Sequence, residues 1–174
     1  MSRNKSSITI TKLACFILAF TFSCGVTYAG ESKFSYKGAV NGEVTKGRAD
    51  FSYIKAISIW RLSLGKYNRE TRESYNVNIF FSRDFQPKAG TFPIKFSYLN
   101  KKDTCGGSFI FRKDKNSRSK MLSHATNGTL TFKTFAEKVK GTFKYDVTDG
   151  KELKETVSGS FELERGNAFK EVKK

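Results

Sequence analysis

Val139-Lys-Gly-Thr-Phe-Lys-Tyr145 and Val157-Ser-Gly-Ser-Phe-Glu-Leu163 share one pattern, V-x-G-x-F-x-[YL], and begin 18 residues apart. Large apolar residues alternate with polar ones in both, the period-2 signature of a half-buried strand. Asp149-Gly150 and a charged stretch separate them, so the pair reads as an antiparallel hairpin. Gly141 and Gly159 fall on the inward face of their strands. A glycine there marks a bulge or a close backbone approach that bends the sheet. Such bends are what a sheet needs in order to curl into a barrel or close a sandwich.

The same alternation extends outward. Tyr75, Val77, Ile79 and Phe81 share a face, as do Phe92, Ile94, Phe96 and Tyr98, and Leu130 with Phe132. Pro93 cannot donate to a ladder, so its strand belongs at an edge or starts late. Strands are expected at 33–40, 48–55, 57–65, 74–82, 90–99, 107–113, 128–135, 138–147 and 155–164, with turns at Asn41-Gly42, Cys105-Gly-Gly107 and Asn127-Gly128. Many short strands at this spacing predict an all-β, antiparallel fold. A two-sheet sandwich is the first expectation. A flattened barrel of about eight to nine strands is the alternative. Segment 114–126 reads as the longest loop, and long loops in compact domains tend to carry function or motion.

The first 29 residues have the layout of a secretory signal. Arg3, Lys5 and Lys12 precede the apolar run Leu13–Val26, and Thr27-Tyr28-Ala29 offers small residues at a cut after Ala29. The run is too short to span a bilayer comfortably. Removing 29 of the 174 residues leaves 145, one domain (30–174) with a frayed tail at about 166–174. The expected location is the periplasm or the exterior. Lipid anchoring through Cys24 is the variant reading, although Phe22 and Thr21 suit it poorly.

Charge is the second constraint. The signal holds three of the 32 Lys and Arg and none of the 16 acids, so the remaining chain keeps a net charge of +13. That excess attracts anions at long range, although surface lysine also serves simply to keep a β-protein soluble. Arg112, Lys113, Lys115, Arg118 and Lys120 crowd nine positions beside Phe109-Ile-Phe111, and Lys101 and Lys102 occupy another loop. If these loops share one end of the sheet, they form a cationic rim for a lipid headgroup, lipopolysaccharide, an acidic glycan or an acidic protein. Single-stranded nucleic acid would also want exposed aromatics, and the phenylalanines here alternate like core residues, which argues against it.

Catalytic patterns are sparse. His124 is the only histidine and Cys105 the only cysteine after the signal, which excludes a multi-histidine metal site and an intramolecular disulfide. A Cys105–His124 dyad has no local support. Asp103, Asp114, Asp146 and Asp149 could furnish a carboxylate pair, but they lie near expected turns, where acids are ordinarily solvated. Asn127-Gly-Thr129 fits a glycosylation acceptor and equally a hairpin turn. No cofactor is expected and the chain is read as non-enzymatic.

The order of Ala89-Gly-Thr-Phe-Pro-Ile94, Cys105-Gly-Gly107, Asn127-Gly-Thr-Leu-Thr-Phe132 and the closing V-x-G-x-F pair resembles that of uncharacterised secreted or lipid-anchored bacterial β-sandwich proteins. The resemblance implies a sandwich or incomplete barrel, and no activity. The expected function is therefore binding of an anionic partner at the loop rim. A carrier of an apolar ligand between the sheets, and a structural or inhibitory protein docking by an edge strand, are the alternatives.

Overall fold

Ten strands and a single 3-10 turn make up the protein in the computed structural model, which describes residues 28–165. The signal segment, Cys24 and the tail 166–174 lie outside the described residues. The strands are β1 (Tyr28–Gly38), β2 (Asn41–Ile54), β3 (Ile59–Tyr67), β4 (Ser74–Phe81), β5 (Gly90–Ile94), β6 (Cys105–Arg112), β7 (Lys120–Leu122), β8 (His124–Phe135), β9 (Lys138–Thr148) and β10 (Lys154–Arg165). No helix among the described residues is long and apolar enough to cross a membrane.

Hydrogen bonding runs β4-β3-β2-β1-β10-β9-β8-β5-β6, and β4 also pairs with β6. That last pairing closes nine strands into a barrel and leaves β7 as an extra strand on β6. Of the two architectures expected, the barrel is the one formed. Every pairing is antiparallel except β5 with β6, which meet in parallel at Ile94 and Cys105.

The closing hairpin has the expected register, with Phe143 opposite Gly159 and Phe161 opposite Gly141. A Cβ on Gly141 would collide with the Phe161 ring and the Thr131 carbonyl, and one on Gly159 with Phe34 and the Lys33 carbonyl. Phe161 therefore fills the space that its partner Gly141 leaves, whereas the space at Gly159 is filled from the neighbouring strand by Phe34.

Inward residues of all the long strands meet in one core. Phe51 packs edge-on to Phe81, Phe132 and Phe135 with ring centroids 5.6–5.7 Å apart. Phe92 and Phe161 pack edge-on to Phe132 in turn. Tilted geometries of this kind are favoured by the ring quadrupole. Phe51, Phe81, Phe92, Phe109 and Phe132 are all at most 2% exposed, so side chains fill the axis. Tyr145 is fully buried, donates its hydroxyl to the Ser108 carbonyl at 2.8 Å, and has its ionisation pushed far up by burial.

Five local readings need correction. Cys105-Gly-Gly107 is no turn: it opens β6, with all three residues buried. Asn127-Gly128 is no hairpin: it lies inside β8 at a bulge between Thr126 and Thr129, with Asn127 at φ 46°. The residue types that favour left-handed backbone in turns favour it equally in bulges. The first turn sits at Ala39–Val40, so Asn41 and Gly42 already belong to β2. The alternation beyond Ile94 breaks. Phe96 is 56% exposed and stacks on His124 at 4.4 Å, and Tyr98 covers Gly106 from outside. The expected loop 114–126 is shorter, because it holds β7 and the start of β8.

The expected cut after Ala29 falls inside β1. Tyr28 is 8% exposed and its ring lies 5.6 Å from that of Phe135, a contact the cut would remove.

Candidate functional site

Strand β6 carries both groups of sequence-selected cations, one at each end. Lys101 and Lys102 are exposed just before it, and Arg112 is its last residue. At ~3.3 Å of rise per residue the two groups stand about 23 Å apart. The structure therefore does not bring Lys101 and Lys102 into the rim formed by Arg112, Lys113, Lys115, Arg118 and Lys120.

Around Lys101, Thr104 donates its hydroxyl to the carbonyls of Tyr98 and Lys101 at 2.9 and 2.5 Å. Beside it Asp103 pairs with Lys88 at 3.1 Å. Local opposite charge thus dilutes that end.

The other end is built differently. Arg112 directs its Nε to the carbonyls of Asp114 and Ser117 at 3.1 and 2.9 Å, and a terminal nitrogen to that of Lys115 at 3.2 Å. Its guanidinium is the framework of the β6–β7 loop. Asp114 completes that framework. Its carboxylate accepts the Asn116 and Ser117 amides at 2.7 and 2.8 Å and the Ser117 hydroxyl at 2.9 Å. These bonds, the Ser117 hydroxyl foremost, hold Asp114 below the usual carboxylate range. Lys113, Lys115, Arg118 and Lys120 are left exposed around the folded loop.

Two cations not singled out in the sequence join them. Ser74 of β4 stands opposite Arg112, so the β3–β4 loop, residues 68–73, lies beside the β6–β7 loop. It presents Arg69 and Arg72, both exposed. The side chain of Asn68 caps this loop by accepting the amides of Glu70 and Thr71 at 3.0 and 3.3 Å. Below the loops Tyr36 stacks on Tyr75 at 4.7 Å, and Tyr75 donates to Glu73 at 2.7 Å.

Glu155, at the start of β10, is fully buried at the same end. One oxygen accepts the Val40 amide at 3.1 Å, while Oε1 has no partner among the described residues. Burial pushes this carboxyl up, and the Val40 and Ala39 amides and the charge of Lys113 partly oppose it.

A second polar surface, which the sequence reading missed, lies on the outer face of β1 to β4. It is a groove of about 760 Å³ with the backbones of Gly30, Gly47 and Gly65 in its lining. Arg48, Asp50, Ser63, Tyr67, Arg69 and Asn76 line it too. Lys46 pairs with Glu31 at 3.3 Å, and Arg61 approaches Asp50 at 3.7 Å. Arg48, Lys66 and Arg69 form no ion pair among the described residues. No sequence pattern announces it, since the three glycines are not opposite one another: Gly30 pairs with Ala49, Gly47 with Ser32 and Gly65 with Arg48.

The groups considered for catalysis are occupied elsewhere. Cys105 is fully buried, donates to the Pro93 carbonyl at 3.6 Å, and has its thiol pushed up by burial. His124 stacks on Phe96. Asp146 accepts the Thr156 hydroxyl at 2.6 Å, and Asp149 the amides of Lys151 and Leu153 at 2.9 and 3.1 Å. Among the described residues no three His, Cys, Asp or Glu side chains form a metal-holding group.

Comparison with protein-family models, with curated proteins and with solved structures returned no match. The fold and the site define an all-β barrel with a cationic end and a polar outer groove.

Proposed function

We propose that this chain is an exported, non-enzymatic binding protein that recognises an anionic partner through the cationic end of its barrel. One observation carries the reading: the β4–β6 pairing sets Arg69 and Arg72 beside Lys113, Lys115, Arg118 and Lys120. A lipid headgroup, lipopolysaccharide, an acidic glycan or an acidic protein supplies the matching charge. Arg112 acts as the support of the rim, since its Nε and one terminal nitrogen are taken by loop carbonyls. Lys101 and Lys102 form a smaller cationic spot at the opposite end. The ring-filled axis favours a surface partner over an apolar ligand held inside.

The test is retention on an anionic matrix and on phosphatidylglycerol vesicles across a salt series. Binding should weaken steeply from low to moderate salt, because exposed charges are screened within about 8–10 Å. Replacing Lys113, Lys115, Arg118 and Lys120 together by Gln should reduce it by roughly 100- to 1,000-fold, at roughly 1 kcal/mol per basic residue near an anionic surface. Undiminished binding by that variant would remove the rim from the argument. Intact mass of the mature protein gives the cleavage point and reports any lipid on Cys24.

A further inference from the structure

The groove on β1 to β4 has a chemistry that a bare anion does not match. Arg48, Lys66 and Arg69 supply donors without an ion pair among the described residues. Asp50 supplies an acceptor. Its Oδ1 takes the Ser52 hydroxyl at 2.9 Å and faces Arg61 at 3.7 Å, while Oδ2 has no partner among the described residues. Ser63 and Asn76 can both donate and accept. The Asn76 amide lies across Gly65, where any larger residue would collide with it. Tyr67 is 63% exposed at the margin and offers a ring face with a polar tip.

Phosphate, sulfate and carboxylate groups are acceptors only. A ligand made of them alone would meet Asp50 and Glu31 as repulsive neighbours. A ligand that also carries hydroxyl donors, with a sparse negative charge, satisfies both halves of the lining. The guanidinium forks of Arg48 and Arg69 match a planar carboxylate in two-pronged geometry. We propose that this groove is a binding site for an acidic oligosaccharide, a chain of hydroxyl-rich sugars bearing carboxylates, with Arg48 reading the carboxylate and Tyr67 stacking against a sugar face. The proposal rests on the anionic-partner reading for the sign of the ligand, and the groove shares only Arg69 with the rim.

The probe is a short oligogalacturonate, titrated calorimetrically into the full mature protein. Its methyl ester, dextran sulfate and phosphatidylglycerol vesicles run in parallel. The oligomer should bind, and its ester, with the same hydroxyls and no charge, should bind about tenfold more weakly or worse. Tyr67→Ala and Arg48→Ala, both at exposed positions, should each cost about tenfold. The variant lacking Lys113, Lys115, Arg118 and Lys120 should stay within about twofold of wild type. Amide shifts at Gly47 and Gly65 on titrating the unmodified protein locate the site without any variant. Equal binding of acid and ester overturns the carboxylate assignment. Binding lost in the rim variant and kept in Tyr67→Ala and Arg48→Ala overturns the groove. Binding of dextran sulfate or vesicles without the oligomer overturns the sugar while anion binding stands. Silence from every probe overturns both readings.

Discussion

The two loops that flank β6 are both lysine-bearing, yet they differ in what their charges do. Before the strand, Lys101 and Lys102 sit in a loop tied by Thr104, with the Lys88–Asp103 pair alongside. After it, Arg112 and Asp114 fold the chain into a small platform, and four further cations stand on that platform. The neighbouring β3–β4 loop then adds two more. Charge density along a sequence therefore does not decide availability. Which charges are taken up by carbonyls, and which loop the strand order brings alongside, decide it.

The harshest way to break the comparison is to damage the strand the loops share. Gly107 faces Tyr145, and a Cβ there would come within 2.8 Å of a fully buried ring. Gly107→Val should destabilise the fold by about 3 kcal/mol, an overpacking cost in a site that cannot yield. Urea unfolding measures it, and an unchanged midpoint would mean the ring can move. Next comes Arg112→Met. Losing three charge-assisted bonds to loop carbonyls should cost about 2 kcal/mol and speed amide exchange across residues 113–119. Protection that persists would mean Asp114 alone shapes the loop.

A smaller effect should appear at Glu155. Its carboxyl is raised in the folded protein, so the folded state holds the proton more tightly than the unfolded chain does. Its contribution is most favourable at low pH and is lost as pH rises from the ordinary carboxylate range through the raised value. Glu155→Gln should flatten that decline and stabilise the protein at neutral pH by about 1 kcal/mol. Lys113→Met should raise the Glu155 carboxyl further, since it removes an opposing charge. Stability curves against pH for the three proteins test both points. The smallest effect belongs to Lys102→Met, under about 0.5 kcal/mol as for exposed residues generally. A larger loss would show that the first loop also relies on its cations.

Nine of the ten strands were legible, most because a buried face imposes alternation, whereas β6 was legible from its apolar run Phe109-Ile-Phe111 although Cys105–Phe109 is buried throughout. β7 was not, since Lys120-Met-Leu122 is too short to show a period. Glycine was the least decisive residue. Gly141 and Gly159 were read as inward positions because a phenylalanine two places on fixed the phase. Gly106, Gly107 and Gly128 were read as turns, because nothing local announces that Tyr98 and Tyr145 will cover them. Closure of the barrel was not legible either, as the β4–β6 pairing joins strands separated by β5. The rim was half legible: five cations were found together, while Arg69, Arg72 and the whole groove depend on which strands become neighbours.

The strand β1 lies between β2 and β10, and Phe34 pairs with Gly159, 125 positions later. The wall thus cannot seal until the last dozen residues of β10 have been made. A nascent chain lacking them would leave β1 and β9 with bare edges open to wrong partners. Pairings this distant in sequence also make folding slow, on the order of milliseconds to seconds. Such a chain stays an open, edge-bearing sheet until synthesis has passed β10.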